Sequence, residues 1–439
     1  MDDKGYAIVL GGGGAKGAYQ AGVWKALHEK KIRIDAIFGT SIGAINGCMI
    51  ALNETEKMIE IWQNISIDKI IDLPLGLIVD GRVVINRDTI SYLNRIQSRL
   101  LKYGGADTSP LRSLINRHVD EKALRKTGIK FGICAFEFNT LKPLEIMLDD
   151  IPEGYLADYL LATSTLPGFR PTVINGKKYF DGGLNNNIPY SMAKERGYRK
   201  IIVIDVNGLG VNKRPDTEGT DTIFMKMKND TSNILDFEKH KIDKMIFSGY
   251  YDVLKIYGEI NGVNYYYKNN RKITAILNSI LYSDEVVHYV YKELLDENNE
   301  SGNVYFERSI SSVIPHECKG EWPLVLQLLE CASIFLRIPI FKLYKLEELI
   351  DLIAVEFENI ENKWADATDH DDNFFKKIFS LTNTIDFFNI KPSDYIHIIR
   401  LFGSNKHEVK KLKKRLRGFI PTLIGTEIFR KVLSIYRKS

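Results

Sequence analysis

Apolar residues in the first part of the chain form short runs that alternate with segments of helical spacing. Tyr6–Leu10 and Asp35–Phe38 are apolar runs of the length typical of buried strands. Each is followed by a glycine-containing turn and then by a helix candidate, Ala15–Glu29 and Ile42–Leu52. Strand–turn–helix units with short connections favour a parallel sheet. Further strand-like segments lie at 129–138, 144–148 and 200–206. We therefore expect an α/β domain in this part of the chain.

The pattern changes in the second part of the chain to long helical periods separated by short polar stretches. We expect two domains, an α/β domain over residues 1–268 and an all-helical domain over residues 269–439. Close to this boundary, the run Tyr265-Tyr266-Tyr267 has two interpretations. Its rings pack together inside a core, or they form a lid at a lipid interface.

Charge is nearly balanced over the whole chain but not along it. The 439 residues include 60 Lys and Arg against 56 Asp and Glu, a net charge of +4, so we expect no nucleic-acid partner. Residues 406–439, however, contain 11 Lys and Arg against two Glu. Apolar residues at helical spacing in this basic tail allow two roles. The tail lies on an anionic membrane surface, or its apolar stripe packs against the helical domain.

Cysteine usage and hydropathy indicate the compartment. Cys48, Cys134, Cys318 and Cys331 stand singly in or beside apolar segments, which predicts packed thiols rather than metal ligands. No secretory signal is visible, and no stretch has 18 uncharged apolar residues. We expect a cytoplasmic protein, with peripheral membrane contact through the basic tail as the open alternative.

A glycine-rich turn follows the first strand candidate. Gly12-x-Gly14-x-x-Gly17 has the spacing of a dinucleotide-binding loop, but the second strand carries its acid, Asp35, at the wrong end. A Walker loop is excluded because Lys16 precedes Gly17. Beside the interpretation as a simple tight turn, the loop presents free N–H groups at a helix N-terminus. These groups would bind a stable phosphate or a transient oxyanion.

The second strand leads into Gly39-Thr40-Ser41-Ile42-Gly43, a GxSxG pentapeptide between a strand and a helix. Flanking glycines permit the strained turn that lifts a serine hydroxyl above the edge of a sheet. The glycine-rich loop and this turn open at the same carboxyl edge, so Ser41 and the loop amides can meet around one carbonyl carbon. Capping of the helix by Ser41 is compatible with this role.

A serine nucleophile requires a base, and histidine is a poor candidate here. Residues 1–239 contain only His28, about 20 Å along the first helix from the loop, and His118 at a polar helix end. A carboxylate is therefore expected, and Asp181, followed by Gly182 and Gly183, is the best candidate beside its interpretation as an ordinary turn. With an ordinary pKa of about 3.9, it would need direct contact with Ser41 and strong oxyanion stabilisation.

These residues resemble the motifs of the patatin-like phospholipase family. The matching blocks are the loop Gly12–Gly17, the turn Gly39–Gly43, the segment Ala162–Pro171 and the turn Asp181–Gly183. The resemblance covers roughly residues 5–260. It implies a three-layer α/β/α sandwich with a mainly parallel sheet, a Ser41–Asp181 dyad, and an oxyanion hole from Gly12, Gly13 and Gly14.

The same resemblance implies a serine acyl hydrolase that cleaves acyl esters of phospholipids or related glycerolipids through an acyl-enzyme, without calcium, other metals or cofactors. An activator or a homo-oligomer stays open as a partner. The alternative from another class is a catalytically silent lipid- or nucleotide-binding regulator on the same fold. Residues after about 268 match no family motif.

Overall fold

A computed structural model describes residues 4–72, 78–79, 82–83, 104–228, 233–295, 302–365 and 421–439. The chain divides into two compact units, Met1–Tyr257 and Gly258–Ser439. Within the described ranges, no helix is long and apolar enough to cross a bilayer.

The first unit is built on an eight-stranded sheet. Its strands are β1 (Tyr6–Leu10), β2 (Ile34–Thr40), β5 (Lys130–Glu137), β6 (Lys142–Met147), β7 (Thr172–Ile174), β8 (Lys177–Asp181), β9 (Lys200–Asp205) and β10 (Asp221–Lys226). The order is β10-β9-β1-β2-β5-β8-β7, with β6 also paired to β5. Neighbours from β10 to β5 run parallel, whereas β6, β7 and β8 pair antiparallel. A separate hairpin joins β3 (Ile78–Val79) and β4 (Arg82–Val83).

Helices of the first unit follow the strands in sequence. They are α1 (Gly17–Glu29), α2 (Ile42–Ala51), α3 (Thr55–Gln63), α4 (Ser109–His118), α5 (Glu121–Lys126), α6 (Leu156–Thr163), α7 (Tyr190–Glu195) and α8 (Lys239–Ile256). The two predicted strand–turn–helix units correspond to β1–α1 and β2–α2.

The central strands are apolar on both faces, and each face has its own core. In β1, Ile8 and Leu10 belong to the cluster that contains most helices, whereas Ala7 and Val9 join the cluster around α7. Successive side chains of a strand point to opposite faces, so helices cover both sides of the sheet. The predicted three-layer sandwich with a mainly parallel sheet is confirmed.

The second unit is mainly helical. Its helices are α9 (Arg271–Leu281), α10 (Asp284–His288), α11 (Gly302–Val313), α12 (Leu324–Phe335), α13 (Leu346–Ala365) and α14 (Pro421–Tyr436). The structure adds a feature that the sequence does not predict, a two-stranded parallel sheet of β11 (Tyr266–Lys268) and β12 (Leu343–Lys345).

The division between the units precedes the predicted boundary at residue 268. The reason is that Tyr265, Tyr266 and Tyr267 are buried, with Tyr265 and Tyr267 in the core of the second unit. The tyrosine run is therefore part of a core, and the lid interpretation is wrong. All four cysteines are free and buried, as predicted.

The basic tail is described only in its last part. Residues 406–420, which carry most of its charge, lie outside the described residues. Helix α14 buries Leu423, Ile428 and Phe429 in the core of the second unit. Its cations meet acids of the same unit, as in the Lys431–Glu285 pair at 2.6 Å. For residues 421–439 the interpretation as a packed helix is the one that holds.

Candidate active site

Ser41 stands at the turn between β2 and α2 with a backbone that few residues adopt. Its φ is 56° and its ψ is −130°, a conformation that costs of order 1–3 kcal/mol for a residue with a Cβ atom. The flanking glycines make this turn feasible. A Cβ atom on Gly39 would lie 2.5 Å from the amide nitrogen of Ala44, and one on Gly43 would lie 2.4 Å from the carbonyl oxygen of Leu10.

The Ser41 side chain is not used as a helix cap. Ser41 occupies the N-cap position of α2, yet no capping hydrogen bond of its hydroxyl exists within the described part of the chain. Its backbone N–H donates instead to Thr163 Oγ1 at 2.8 Å, and the Thr163 hydroxyl donates to the Cys134 carbonyl. Thr163 thus holds the turn through the Ser41 backbone, and the Ser41 hydroxyl is not engaged in capping the helix.

Asp181 ends β8 and is 4% exposed. One carboxylate oxygen, Oδ1, accepts the Gly183 N–H at 2.7 Å. The other, Oδ2, is buried without a hydrogen-bond partner among the described residues. Burial raises the pKa of Asp181 from 3.8 to about 6, while the neighbouring Ser41 hydroxyl and the Gly183 N–H favour the ionised form. Ser41 is thus close enough to Asp181 for its hydroxyl to influence the charge of the carboxylate.

The antiparallel pairing of β5 with β8 explains why Asp181 reaches this edge. Asp181 lies opposite Ala135, and Cys134 lies opposite Thr40 at the end of β2. The close approach of the two turns requires Gly182, because a Cβ atom there would lie 2.2 Å from the Cys134 carbonyl oxygen. The structure therefore brings the two predicted catalytic residues to one site.

The glycine-rich loop lies against the same turn. A Cβ atom on Gly12 would lie 3.0 Å from that of Ser41. The Gly12 N–H already donates to Asn187, at 3.1 Å to the side-chain oxygen and 3.3 Å to the carbonyl oxygen. Gly13 and Gly14 have no acceptor for their N–H groups in the described ranges. Gly14, with a φ of +56°, also lines the cavity described next.

An apolar cavity opens at Ser41. Aliphatic and aromatic side chains from α2, α3 and α4 and from the segments that follow α3, α4 and α6 and precede α8 make up most of its wall, and Asn46, His118 and Ser164 add polar groups. Its apolar lining comprises Ile42, Ile45, Met49, Met58, Ile61, Trp62, Ile65, Ile70, Leu111, Leu114, Ile115, Val119, Leu166, Phe169, Leu235 and Phe237. A cavity of this chemistry suits a hydrocarbon chain.

His118 is the last residue of α4, as its sequence context predicts, and it forms part of the cavity wall. Burial lowers its pKa, as do the neighbouring cations Lys57 and Arg117. No cluster of three metal-ligating side chains occurs in the part of the chain that the structure describes.

Two site residues escaped the sequence analysis, Thr163 and Asn187. Thr163 lies inside the segment Ala162–Pro171, which the motif comparison includes, but the sequence does not predict its hydrogen bond to Ser41. Asn187 belongs to the run of three asparagines after Asp181. Its side chain donates to the Gly12 carbonyl at 3.3 Å and accepts the Gly12 N–H, which joins the glycine-rich loop to the Asp181 turn.

The part of the chain that carries this site is similar to known proteins. The family model described as "Patatin-like phospholipase" matches residues 8–194, which include Ser41 and Asp181. Lysophospholipase NTE1 of Kluyveromyces lactis is 27% identical over 214 residues, 48% of this chain and 13% of that protein. Patatin-like phospholipase domain-containing protein 6 of Homo sapiens is 28% identical over 207 residues, 46% of this chain and 13% of that protein. The chain thus spans only about 13% of the length of these relatives.

Among solved structures, VipD from Legionella pneumophila is similar with a TM-score of 0.37 and 14% identity. The match covers 96% of this chain and 92% of that one. At that TM-score the likeness carries no weight for function.

Proposed function

We propose that this chain, which belongs to the patatin-like phospholipase family through residues 8–194, hydrolyses acyl ester bonds of phospholipids or related glycerolipids. The activity would be of the phospholipase A or lysophospholipase type. One observation carries the proposal. A serine in a strained strand–helix turn, a buried aspartate with an unpartnered oxygen and an apolar cavity converge at one edge of the sheet.

In the proposed first step, the Asp181 carboxylate accepts the Ser41 hydroxyl proton while Oγ attacks the ester carbonyl carbon. The tetrahedral intermediate collapses to an acyl-serine, and Asp181 returns the proton to the departing alcohol. In the second step Asp181 deprotonates a water molecule that attacks the acyl carbon. Ser41 leaves as the hydroxyl, and the products are a fatty acid and an alcohol.

The developing oxyanion would be held by amides of the glycine-rich loop. Of Gly12, Gly13 and Gly14, we assign the donation to Gly13 and Gly14 because the Gly12 N–H is engaged by Asn187. Backbone donors fixed before reaction stabilise the transition state without reorganisation, and a single donor is worth roughly 100- to 1000-fold in rate.

The proposed substrate class rests on the cavity and on the relatives. A wall of aliphatic and aromatic side chains next to Ser41 would hold the acyl chain of the ester. Two relatives carry the names lysophospholipase and patatin-like phospholipase, which describe esters of this kind.

The test is labelling with a fluorophosphonate probe together with fatty-acid release from phosphatidylcholine and lysophosphatidylcholine. We expect the wild type to be labelled at Ser41 and to release fatty acid, and Ser41→Ala to do neither. Thermal unfolding serves as the control for folding. A wild-type protein that binds lipid, takes no label and releases no fatty acid would favour the silent regulator instead.

A further inference from the structure

A short segment after β9 is attached to both halves of the candidate site. We call residues 207–214 the strap. On one side, the Cα atom of Gly208 lies so close to the glycine-rich loop that a Cβ atom would be 1.8 Å from the Gly12 carbonyl oxygen. Lys16 Nζ also donates to the Asn207 carbonyl oxygen at 3.1 Å. The beginning of the strap is therefore held by the predicted oxyanion loop.

On the other side, the strap follows the Asp181 turn. The Val211 N–H donates to the Gly183 carbonyl at 2.8 Å, and the Asn187 N–H donates to the Val211 carbonyl at 3.0 Å. The side chains of Asn187 and Asn212 add a bond of 3.2 Å. Main-chain groups make most of these contacts, which leaves the strap side chains free to face outward.

Those outward side chains are apolar and basic. Leu209 is 73% exposed and Val211 47% exposed, and Leu184 on the adjoining turn is 42% exposed. Lys213 and Arg214 follow directly and are exposed, and neither forms an ion pair with any residue that the structure describes. Exposed apolar side chains that lie together beside cations are typical of a contact surface.

We propose that the strap docks on an anionic phospholipid surface and thereby brings lipid to Ser41. Leu209 and Val211 enter the apolar layer below the head groups, and Lys213 and Arg214 pair with lipid phosphates. This inference rests on the proposed lipid ester hydrolysis and extends it, because it names the physical form of the substrate. A bilayer supplies hydrocarbon and negative charge side by side, which is the combination that the strap presents.

The test compares two substrates for each variant. Wild type, Leu209→Asp and the double variant Lys213→Glu with Arg214→Glu are assayed on vesicles of phosphatidylcholine and phosphatidylserine and on soluble p-nitrophenyl butyrate. We expect the ratio of vesicle to soluble-ester activity to fall at least about tenfold in both variants, and vesicle co-sedimentation to fall with it. On vesicles of phosphatidylcholine alone, where the wild type also binds more weakly, the difference between the charge variant and the wild type should disappear.

Matched controls come from the second unit. Val304, 61% exposed, and the adjacent exposed pair Arg271 and Lys272 take the same changes, Val304→Asp and Arg271→Glu with Lys272→Glu. These controls should keep the wild-type ratio. If the strap variants also keep it, or lose both activities in proportion, docking by the strap is refuted while ester hydrolysis stands. A wild type inactive on both substrates refutes the proposed function itself.

Discussion

Two buried carboxylates, Asp181 in the first unit and Glu330 in the second, have opposite hydrogen-bonding environments. Glu330 in the second unit is 1% exposed, and both of its oxygens accept backbone N–H groups, from Val263 at 2.6 Å and Asn264 at 2.8 Å. Asp181 in the first unit is 4% exposed, but among the described residues only its Oδ1 has a hydrogen-bond donor, the Gly183 N–H. The two carboxylates are buried to a similar degree, but they differ in their hydrogen bonds.

The difference separates a structural charge from a reactive one. Hydrogen bonds to an ionised carboxylate offset the cost of removing it from water, and Glu330 in return ties a loop to α12. An unpartnered buried oxygen destabilises the ion and keeps a lone pair available for a proton. Asp181 is therefore built for proton transfer at the expense of stability.

The largest effect should come from Asp181→Asn. The amide retains the size of the side chain but accepts a proton far more weakly, so the base is lost. We expect turnover of phospholipid and of soluble esters to fall at least about 1000-fold. Asp149→Asn, at an exposed acid paired with Lys130, should leave turnover at the wild-type level. Near-wild-type activity of Asp181→Asn would remove Asp181 from the mechanism.

The second effect is that of Glu330→Gln, which should lower the free energy of unfolding and leave catalytic activity unchanged. Only one oxygen remains to accept, and the amide NH2 group confronts an N–H donor of the 263–264 backbone. We expect a loss of about 2–4 kcal/mol in unfolding free energy, measured by urea denaturation. Activity per fluorophosphonate-reactive site should stay unchanged. A drop in that specific activity would mean that Glu330 is not purely structural.

The sequence predicts the catalytic residues better than it predicts the residues that hold them in place. Short apolar runs, glycine turns and helical spacing are local signals, and they predict β1–α1, β2–α2 and the position of Ser41. The partners of the site come from far along the chain. Thr163 lies 122 residues from Ser41, and Asn187 lies 175 residues from Gly12. Such contacts depend on strand order and register, which no local pattern contains.

The second unit shows the same limit. The partner of β11 is β12, with Tyr267 opposite Tyr344 in parallel register. Helical spacing gives no sign of that pairing, because the two strands lie far apart along the chain. Likewise, Glu330 lies in an apolar helical stretch as an isolated acid, and the backbone N–H groups that explain it belong to Val263 and Asn264.

The third measurement is the pH dependence at Asp181, where the folded-state pKa of about 6 exceeds the unfolded value near 3.8. The folded state binds the proton more tightly, so stability falls as pH rises from about 4 to 6 and stays lower above. Two pKa units correspond to about 3 kcal/mol. Asp181→Asn should therefore unfold at a higher temperature than wild type at pH 8, and this advantage should vanish at pH 4.

The same pKa governs activity, but activity rises with pH whereas stability falls. Because the base must be ionised, kcat/KM should rise about tenfold per pH unit below 6 and level off above. Glu330→Gln should show the wild-type profile after correction for the folded fraction. A profile that is flat from pH 5 to pH 8 would contradict Asp181 as the titrating base.

The smallest effect sharpens the comparison at Ser41 itself. Glycine adopts a φ of +56° without a steric cost, whereas alanine keeps the strain of serine. Ser41→Gly and Ser41→Ala should both be inactive, but the glycine variant should be more stable by about 1 kcal/mol, after its greater unfolded-state entropy is deducted. At Val355, an exposed position inside α13, the order should reverse, with glycine about 1 kcal/mol less stable than alanine. If the glycine variant were less stable than the alanine variant at both positions, the Ser41 turn would store no strain.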